Sequence, residues 1–322
     1  MARAFAIGVD VGGSKVAAGL VHEQGRVCRR ISLPTPHGQG AAAVIGLIAD
    51  MCRDLGANEA ADADSRLPVG IGSPGVIDPR RGYVVTATDT MPGWKGTELA
   101  DDLRRATGRR VVADNDANAF ALGEHLYGAG RGASDALYAT VGTSVGGGLV
   151  LQGRLLTGAH HSAGELGHFP VSGPGRDVCS CGRAGHLETA ASGPAMAAAY
   201  ARLTGRNTPP DLREVADGAR HGDVDAVTVL RQGAEALGRT LAGLAAVFGP
   251  HRVVVGGGVA QIGAEYWTPL RHAFHSSGLP STAAVDIEPA ALGDDAGVAG
   301  AAALTLHHPT PAHDKRGTAP DR

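Results

Sequence analysis

The sequence predicts a two-domain α/β protein with a ligand cleft between the domains, and three observations carry that expectation. At 322 residues the chain exceeds the usual size of a single hydrophobic core. A unit of strand, glycine-rich turn and strand occurs twice, once near the amino terminus and once from Ala136 to Leu156. Between them, Arg110 to Gly123 reads as a short buried strand, a polar exit at Asp114-Asn115-Asp116, and an Ala-rich helix packed through Phe120 and Leu122. Ligands of open α/β sheets collect where strands end, so Asp116 stands where a carboxylate can face a substrate. It can equally cap the helix, accepting bonds from the first free N–H groups. A carboxylate at a helix start is expected to stay ionised near neutrality.

Composition narrows the class. Hydrophobic residues make up 43% of the chain, and mean hydropathy is near neutral, as in soluble globular proteins. The formal net charge of -3 provides no basic field for nucleic acid or an anionic membrane surface. There is no secretory signal pattern and no apolar run long enough for a membrane span, which makes a cytoplasmic protein the expectation. Four cysteines without a framework spacing argue against disulfides, and Cys28 and Cys52 read as plain thiols. The 49 glycines are about twice the ordinary share of roughly 7%. Glycine-built ligand loops follow as an expectation.

Taken in order, Phe5 to Asp10 is a strand ending in a carboxylate, Val11 to Lys15 a glycine turn, and Val16 to His22 and Arg26 to Leu33 two further strands. The turn can offer backbone N–H groups to phosphate, and Asp10 beside it can hold a hydrated Mg²⁺. A helix is expected over Ala41 to Leu55 and a strand over Val69 to Gly72, leading to Ser73-Pro74-Gly75, where Gly75 would let a ligand approach the backbone. Trp94 follows, either as an apolar wall for a sugar ring or as a core plug. A helix from Thr97 to Thr107, capped by Thr97, delivers the chain to Val111.

In the second half, Ala136 to Val141 is a strand, Gly142 to Gly148 a glycine turn, and Leu149 to Leu156 a strand with a turn at Gly153. Two such turns facing each other would grip one polyphosphate from both sides. Helices are expected over Gly193 to Leu203, Val224 to Phe248, Ile262 to Phe274 and Asp294 to Leu306. The buried strand Arg252 to Val255 runs into Gly256, Gly257 and Gly258, a third glycine turn that opens a helix and suits a nucleotide. From His307 the chain reads as a disordered tail.

His168, Cys179, Cys181 and His186 are ligand types that tetrahedral Zn²⁺ takes, although Cys-x-Cys is a tight spacing. Such a site would be structural, because four protein ligands leave no open position. Glu165 and Glu188 bracket the four. A folded metal loop would bring both carboxylates together, where they could accept hydrogen bonds from vicinal hydroxyls. Without it they read as solvated surface glutamates.

The segments Asp10-Val11-Gly12-Gly13-Ser14-Lys15, Asn115-Asp116-Ala117-Asn118-Ala119, Gly142 to Gly148, Gly164-Glu165-Leu166-Gly167-His168 and Cys179-Ser180-Cys181-Gly182 together resemble the ROK family of sugar kinases, particularly its bacterial glucokinases, from about Phe5 to Leu306. The resemblance implies the actin-like ATPase, ribonuclease-H-like fold, two α/β domains closing over ATP and a hexose, in a homodimer or homotetramer. Residues 1–118 would form the small domain, joined by helix 294–306, and residues 119–293 the large one. By position, Asp116 resembles the general base that accepts the 6-hydroxyl proton and contacts the sugar with Gly75, Asn115, Glu165, His168 and Glu188. Asp10, Gly12, Gly13 and Lys15 match the first phosphate loop, Gly142 and Thr143 the second, and Gly256, Gly257 and Gly258 the adenosine motif. The implied cofactors are ATP, Mg²⁺ and structural Zn²⁺ on His168, Cys179, Cys181 and His186.

Three positions depart from the family pattern: His186 replaces a third zinc cysteine, Thr90 follows Asp89 where relatives commonly carry an Asn near the sugar, and Ser14 stands where Thr is usual. Glucose is the expected substrate, with an amino sugar (kanosamine-like or an N-acylhexosamine) or a C7 cyclitol as the alternative. Two rivals fall outside catalysis. A sugar-responsive repressor needs a DNA-binding segment before the first strand, which here begins at Phe5, and a dead sugar-sensing protein has no need of Asp10, Asp116 and three glycine turns.

Overall fold

The structure, a computed structural model, describes residues 5–36, 38–56, 67–88, 91–171, 177–282 and 284–307. Apolar alternation in the first third yields the meander β1 (Phe5–Val11), β2 (Lys15–His22) and β3 (Val27–Pro34), followed by α1 (Gly40–Gly56) and β4 (Val69–Ser73). A small hairpin of β5 (Val76–Asp78) and β6 (Tyr83–Thr86) precedes α2 (Leu99–Thr107), β7 (Val111–Asn115) and α3 (Asp116–Tyr127). The second half contributes β8 (Ala136–Val141), β9 (Val145–Leu151), β10 (Arg154–Leu155), α4 (Glu188–Ala191), α5 (Gly193–Thr204), α6 (Leu212–Arg220), α7 (Val224–Phe248), β11 (Arg252–Gly256), α8 (Ala264–Ser277), β12 (Asp286–Pro289) and α9 (Ala296–Leu306).

Two five-stranded sheets repeat one topology, ordered β3-β2-β1-β4-β7 and β10-β9-β8-β11-β12. In each, an antiparallel meander feeds two parallel strands. The first sheet buries Ile7, Val9 and Ile71 against α1 and α2 on one face, and Ala6, Ala17 and Val21 against Val298, Ala299 and Ala302 of α9 on the other. The second buries Leu137, Val253 and Val255 against α7 and α8, and Tyr138, Val150 and Val254 against Phe120 and Ala121 of α3. Helices α3 and α9 meet between the sheets at backbone distance, since a Cβ on Gly300 would lie 1.7 Å from the Ala119 carbonyl oxygen. Each sheet is therefore covered on its inner face by one member of a tightly paired helix couple.

Several sequence expectations change. Gly146, Gly147 and Gly148 lie in β9 rather than in a turn, which is confined to Gly142–Ser144. A Cβ at Gly148 would lie 2.4 Å from the Ala121 Cβ, so these glycines admit α3 and the 164–166 segment to the sheet. Thr97 does not cap α2, whose first residue is Leu99; its hydroxyl donates to the Trp94 carbonyl at 2.7 Å. The third glycine turn opens a 3-10 turn, Val259–Ile262, and α8 begins only at Ala264. The β5–β6 hairpin, α6 and β12 were not anticipated, being short segments. The tail from residue 308 and the Asp89-Thr90 pair lie outside the described residues. Among the described residues no helix is long and apolar enough to cross a membrane.

Candidate active site

At the junction of β7 and α3 the helix is capped by Asn115, not Asp116. The Asn115 side-chain oxygen accepts from the N–H groups of Ala117 and Asn118 at 2.9 and 3.1 Å. Its Nδ2 donates to the Gly75 carbonyl at 3.0 Å, tying the β4–β5 turn to the start of α3. The neighbouring Asp114 is buried, accepting from the Asn115 N–H at 2.7 Å and from Asn118 Nδ2 at 2.9 Å, and burial pushes its carboxyl up to about 6. Within this network Asp116 accepts from the Ala117 N–H at 2.9 Å. Burial also raises the Asp116 carboxyl, with the Ala117 N–H opposing. Loss of water thus opposes the pull of the helix start towards the ionised form. A carboxylate raised in this way is a stronger proton acceptor.

Asp116 is flanked by acidic groups on two sides. Asp10, at the end of β1, is pushed up to about 7 by burial and next by the charge of Asp116. Glu165 is likewise pushed up to about 7, by burial, then by Asp116 and Glu188. The structure therefore gathers Asp10, Asp116, Glu165 and Glu188 from four separate stretches of chain. Glu188 starts α4; one of its oxygens accepts from the Ser180 hydroxyl at 3.0 Å and the other from the Val145 N–H at 3.4 Å. The solvated-glutamate reading of Glu165 and Glu188 does not hold.

The glycine turns divide by what surrounds them. Side chains built on Gly13, Gly142 and Gly258 would meet nothing within 4 Å, so each borders open space of the kind a nucleotide fills. Gly256 and Gly257 differ, since Cβ atoms there would lie 2.6 Å from Phe120 and 2.3 Å from the Val141 carbonyl oxygen. These two serve packing and a left-handed turn at Gly257, φ 87°. The N–H groups of Gly12 and Gly142 close their own hairpins onto the carbonyls of Lys15 and Ser144, at 2.9 Å each. Among the described residues the N–H groups of Gly13 and Thr143, at the two tips, remain free for an anion. Gly193, read in the sequence only as a helix start, supports the second tip by donating its N–H to the Gly142 carbonyl at 2.8 Å. Lys15 reaches Asp294 at 3.9 Å.

At Gly75 and Trp94 the structure decides between ligand approach and packing. The space beside Gly75 (φ 96°) is filled by the Thr86 carbonyl, 2.3 Å from a Cβ there, so the glycine serves the hairpin rather than a bare approach to ligand. Trp94 is 1% exposed and donates its indole N–H to Ser73 Oγ at 2.9 Å, making it a core plug rather than a sugar wall.

The ligating atoms of His168, Cys179, Cys181 and His186 all lie within 4.8 Å of one another. The two Nδ1 atoms are 3.4 Å apart, Cys179 Sγ is 3.5 Å from His168 Nδ1, and Cys181 Sγ is 3.3 Å from His186 Nδ1. Tetrahedral Zn²⁺ with ordinary bond lengths demands ligand-to-ligand edges of about 3.4 Å between nitrogens and about 3.5 Å between sulfur and nitrogen. Donor chemistry and spacing both fit a divalent metal of that kind. His168 Nε2, on the far side of the ring, faces Glu165 at 3.7 Å, which links the cluster to the acidic pocket.

The family model for the ROK family matches residues 6–308. The chain is 36% identical over 311 residues to a glucokinase of Thermotoga maritima, covering 92% of this chain and 96% of that one. It is 34% identical over 313 residues to an N-acetyl-D-glucosamine kinase of Photobacterium profundum, at 93% and 98% coverage. Among solved structures it superposes on a ROK family glucokinase from Streptomyces griseus in complex with glucose and AMPPNP with a TM-score of 0.82 and 34% identity, covering 94% of this chain and 100% of that one. The twin sheets, the paired inner helices and the likeness over almost the whole chain agree, and the protein belongs to the ROK family, a sugar kinase with the two-domain actin-like ATPase fold.

Proposed function

We propose that this kinase transfers the γ-phosphoryl group of ATP to the 6-hydroxyl of a hexose, glucose first among them, with Asp116 as general base. The observation that carries the reading is the half-buried Asp116, within electrostatic reach of Asp10 on the phosphate-loop side and of Glu165, itself beside Glu188, on the polyol side. Phosphoryl transfer passes through a loose transition state, so the protein's work is alignment and charge placement. The free tip N–H groups of Gly13 and Thr143 receive phosphate oxygens, and the open face at Gly258 admits the adenosine. Bound Mg²⁺ would be held through water by Asp10 and offset phosphate charge. Asn115, Glu165, His168 and Glu188 orient the sugar hydroxyls, and Gly75 acts by holding Asn115 through its carbonyl. Asp116 then takes the hydroxyl proton on a carboxylate already raised by its surroundings. Closing the two halves excludes water from the transferring group.

His168, Cys179, Cys181 and His186 would hold a structural Zn²⁺ that keeps Glu165 and Glu188 in register. The same reading divides the chain near residue 118, returns α9 to the first domain, places the protein in the cytoplasm and assembles it as a homodimer or homotetramer. Residue 118 itself lies in the first turn of α3, so a hinge belongs at the ends of that helix rather than at its interior. An N-acylated amino sugar is the second reading, because an N-acetyl-D-glucosamine kinase is as similar to this chain as several glucokinases are. A coupled ADP-release assay over glucose, mannose, N-acetylglucosamine, N-acetylmannosamine, 3-amino-3-deoxyglucose and C7 cyclitols ranks the candidates by kcat/KM. Higher kcat/KM for an acylated sugar than for glucose transfers the assignment to the second reading, and no turnover with any member refutes both.

A further inference from the structure

His161 is unusual on three independent counts. It is one of two non-glycine residues with a left-handed backbone among the described residues, at φ 61°. Its Nδ1 is buried without any hydrogen-bond partner. Its Nε2 lies 3.7 Å from Asp78 Oδ1, so a residue of the second half reaches across to the β5–β6 hairpin of the first. Backbone strain and an orphaned polar atom are both costly, and their coincidence at one residue marks a function-bearing position more often than a packing accident. The surrounding loop is self-contained, the His161 N–H donating to the Gly158 carbonyl at 3.3 Å and the Ala163 N–H to that of Thr157 at 3.2 Å. It runs straight into Gly164-Glu165, and the imidazole is also close enough to act electrostatically on Asp114, two residues before Asp116.

We infer that His161 is a sugar-contacting specificity residue, held by Asp78 of the first half so that its Nδ1 accepts a hydrogen bond from a hydroxyl or amino group of the substrate. The carboxylate at Nε2 favours the tautomer with the proton on that nitrogen, which leaves the Nδ1 lone pair for a donor. Asp78 is itself fixed, its Oδ1 accepting from the Arg80 N–H at 3.0 Å. The contact rests on the reading of the acidic pocket as the sugar site and adds to it a residue that no motif of the sequence singled out.

The test compares wild type, His161→Gly and His161→Asn as full-length enzymes. Glycine relieves the backbone strain and removes the acceptor, while asparagine tolerates the same backbone and restores a side-chain oxygen. His161→Gly is expected to raise the sugar KM at least tenfold, leave the ATP KM within twofold, and melt no lower than wild type without ligands. His161→Asn is expected to recover most of the sugar KM. In imidazole-¹⁵N-labelled wild type, the Nδ1 resonance absent from His161→Gly should move on adding the sugar and not on adding ATP alone. A sugar KM unchanged within twofold in His161→Gly, or a joint rise of both KM values with a lower melting temperature, overturns the inference while the function stands. A wild-type chain that phosphorylates no sugar overturns the site reading and this inference together.

Discussion

The β1–β2 and β8–β9 hairpins are matched in topology and in glycine content, yet their glycines answer two different physical demands. Gly13 and Gly142, at the tips, border space in which an added Cβ would meet nothing within 4 Å. Along β9, Gly146, Gly147 and Gly148 are packed, with Cβ positions 2.7, 2.8 and 2.4 Å from side chains of α3 and Leu166. The first sheet has its own packed glycines, Gly8 and Gly70, but they sit under α9 on central strands rather than beside the tip. A missing Cβ makes room for a ligand in one place and for a helix in the other. The second hairpin is also the one braced by the metal-loop segment, through Glu188 to the Val145 N–H.

The largest expected effect tests whether the two tips serve one acceptor. Asp116→Asn should fold and keep its sugar affinity while kcat falls by about 10²–10⁴-fold; circular dichroism, sugar titration and steady-state kinetics check it, and near-wild-type turnover breaks the shared target. Next comes the bracing that only the second hairpin has. Metal analysis of untreated enzyme should find one zinc per chain, and its removal by a chelator should raise the sugar KM by about 10–100-fold. Hydrogen exchange should then quicken along β9 and leave β1 and β2 unchanged; an active preparation devoid of zinc removes the metal from the comparison.

A smaller effect separates open from packed glycine directly. Gly148→Ala is expected to lose about 1–3 kcal/mol of stability through overpacking against Ala121, measured by urea unfolding. Gly13→Ala should keep the wild-type melting temperature and raise the ATP KM instead. The reverse pattern would abolish the distinction.

The smallest effect concerns the charge beside the first tip. The Asp10 carboxyl stands at about 7 in the folded protein against an ordinary 3.8, so the folded state binds more protons than the unfolded one between those values. Through this group the ligand-free protein loses stability as pH rises from about 4 to about 7. Asp114 and Glu165, also raised, act with the same sign. Asp10→Asn should therefore melt a few degrees higher than wild type at pH 8 and at the same temperature near pH 4, by scanning calorimetry. Equal melting temperatures at both pH values would mean that Asp10 is solvated, and the first tip open on that side.

Much of the fold was legible because its signals are local. The meander from Phe5, the strand Val111–Asn115 ahead of α3 and the twenty-five-residue α7 all follow from period and length within one stretch. The four metal-type ligands were legible as residue types, and the structure added the geometry that a Cys-x-Cys spacing left open. The roles of Asn115 and Asp116 were not separable in sequence, since both residues can cap a helix, and which one does depends on the backbone angle at the turn. His161 carried no signal at all: an imidazole in a loop acquires meaning only through what folds against it.

The sequence by itself determined most of the strands and helices, the doubled unit that makes two like sheets, and the chemical inventory of carboxylates, thiols and imidazoles, because each depends on residue type and short-range period. Only the tertiary structure decided which glycines face a ligand and which face a helix. It also decided which carboxylates are lifted towards neutrality, because packing distance and loss of water are properties of neighbours that lie far apart along the chain.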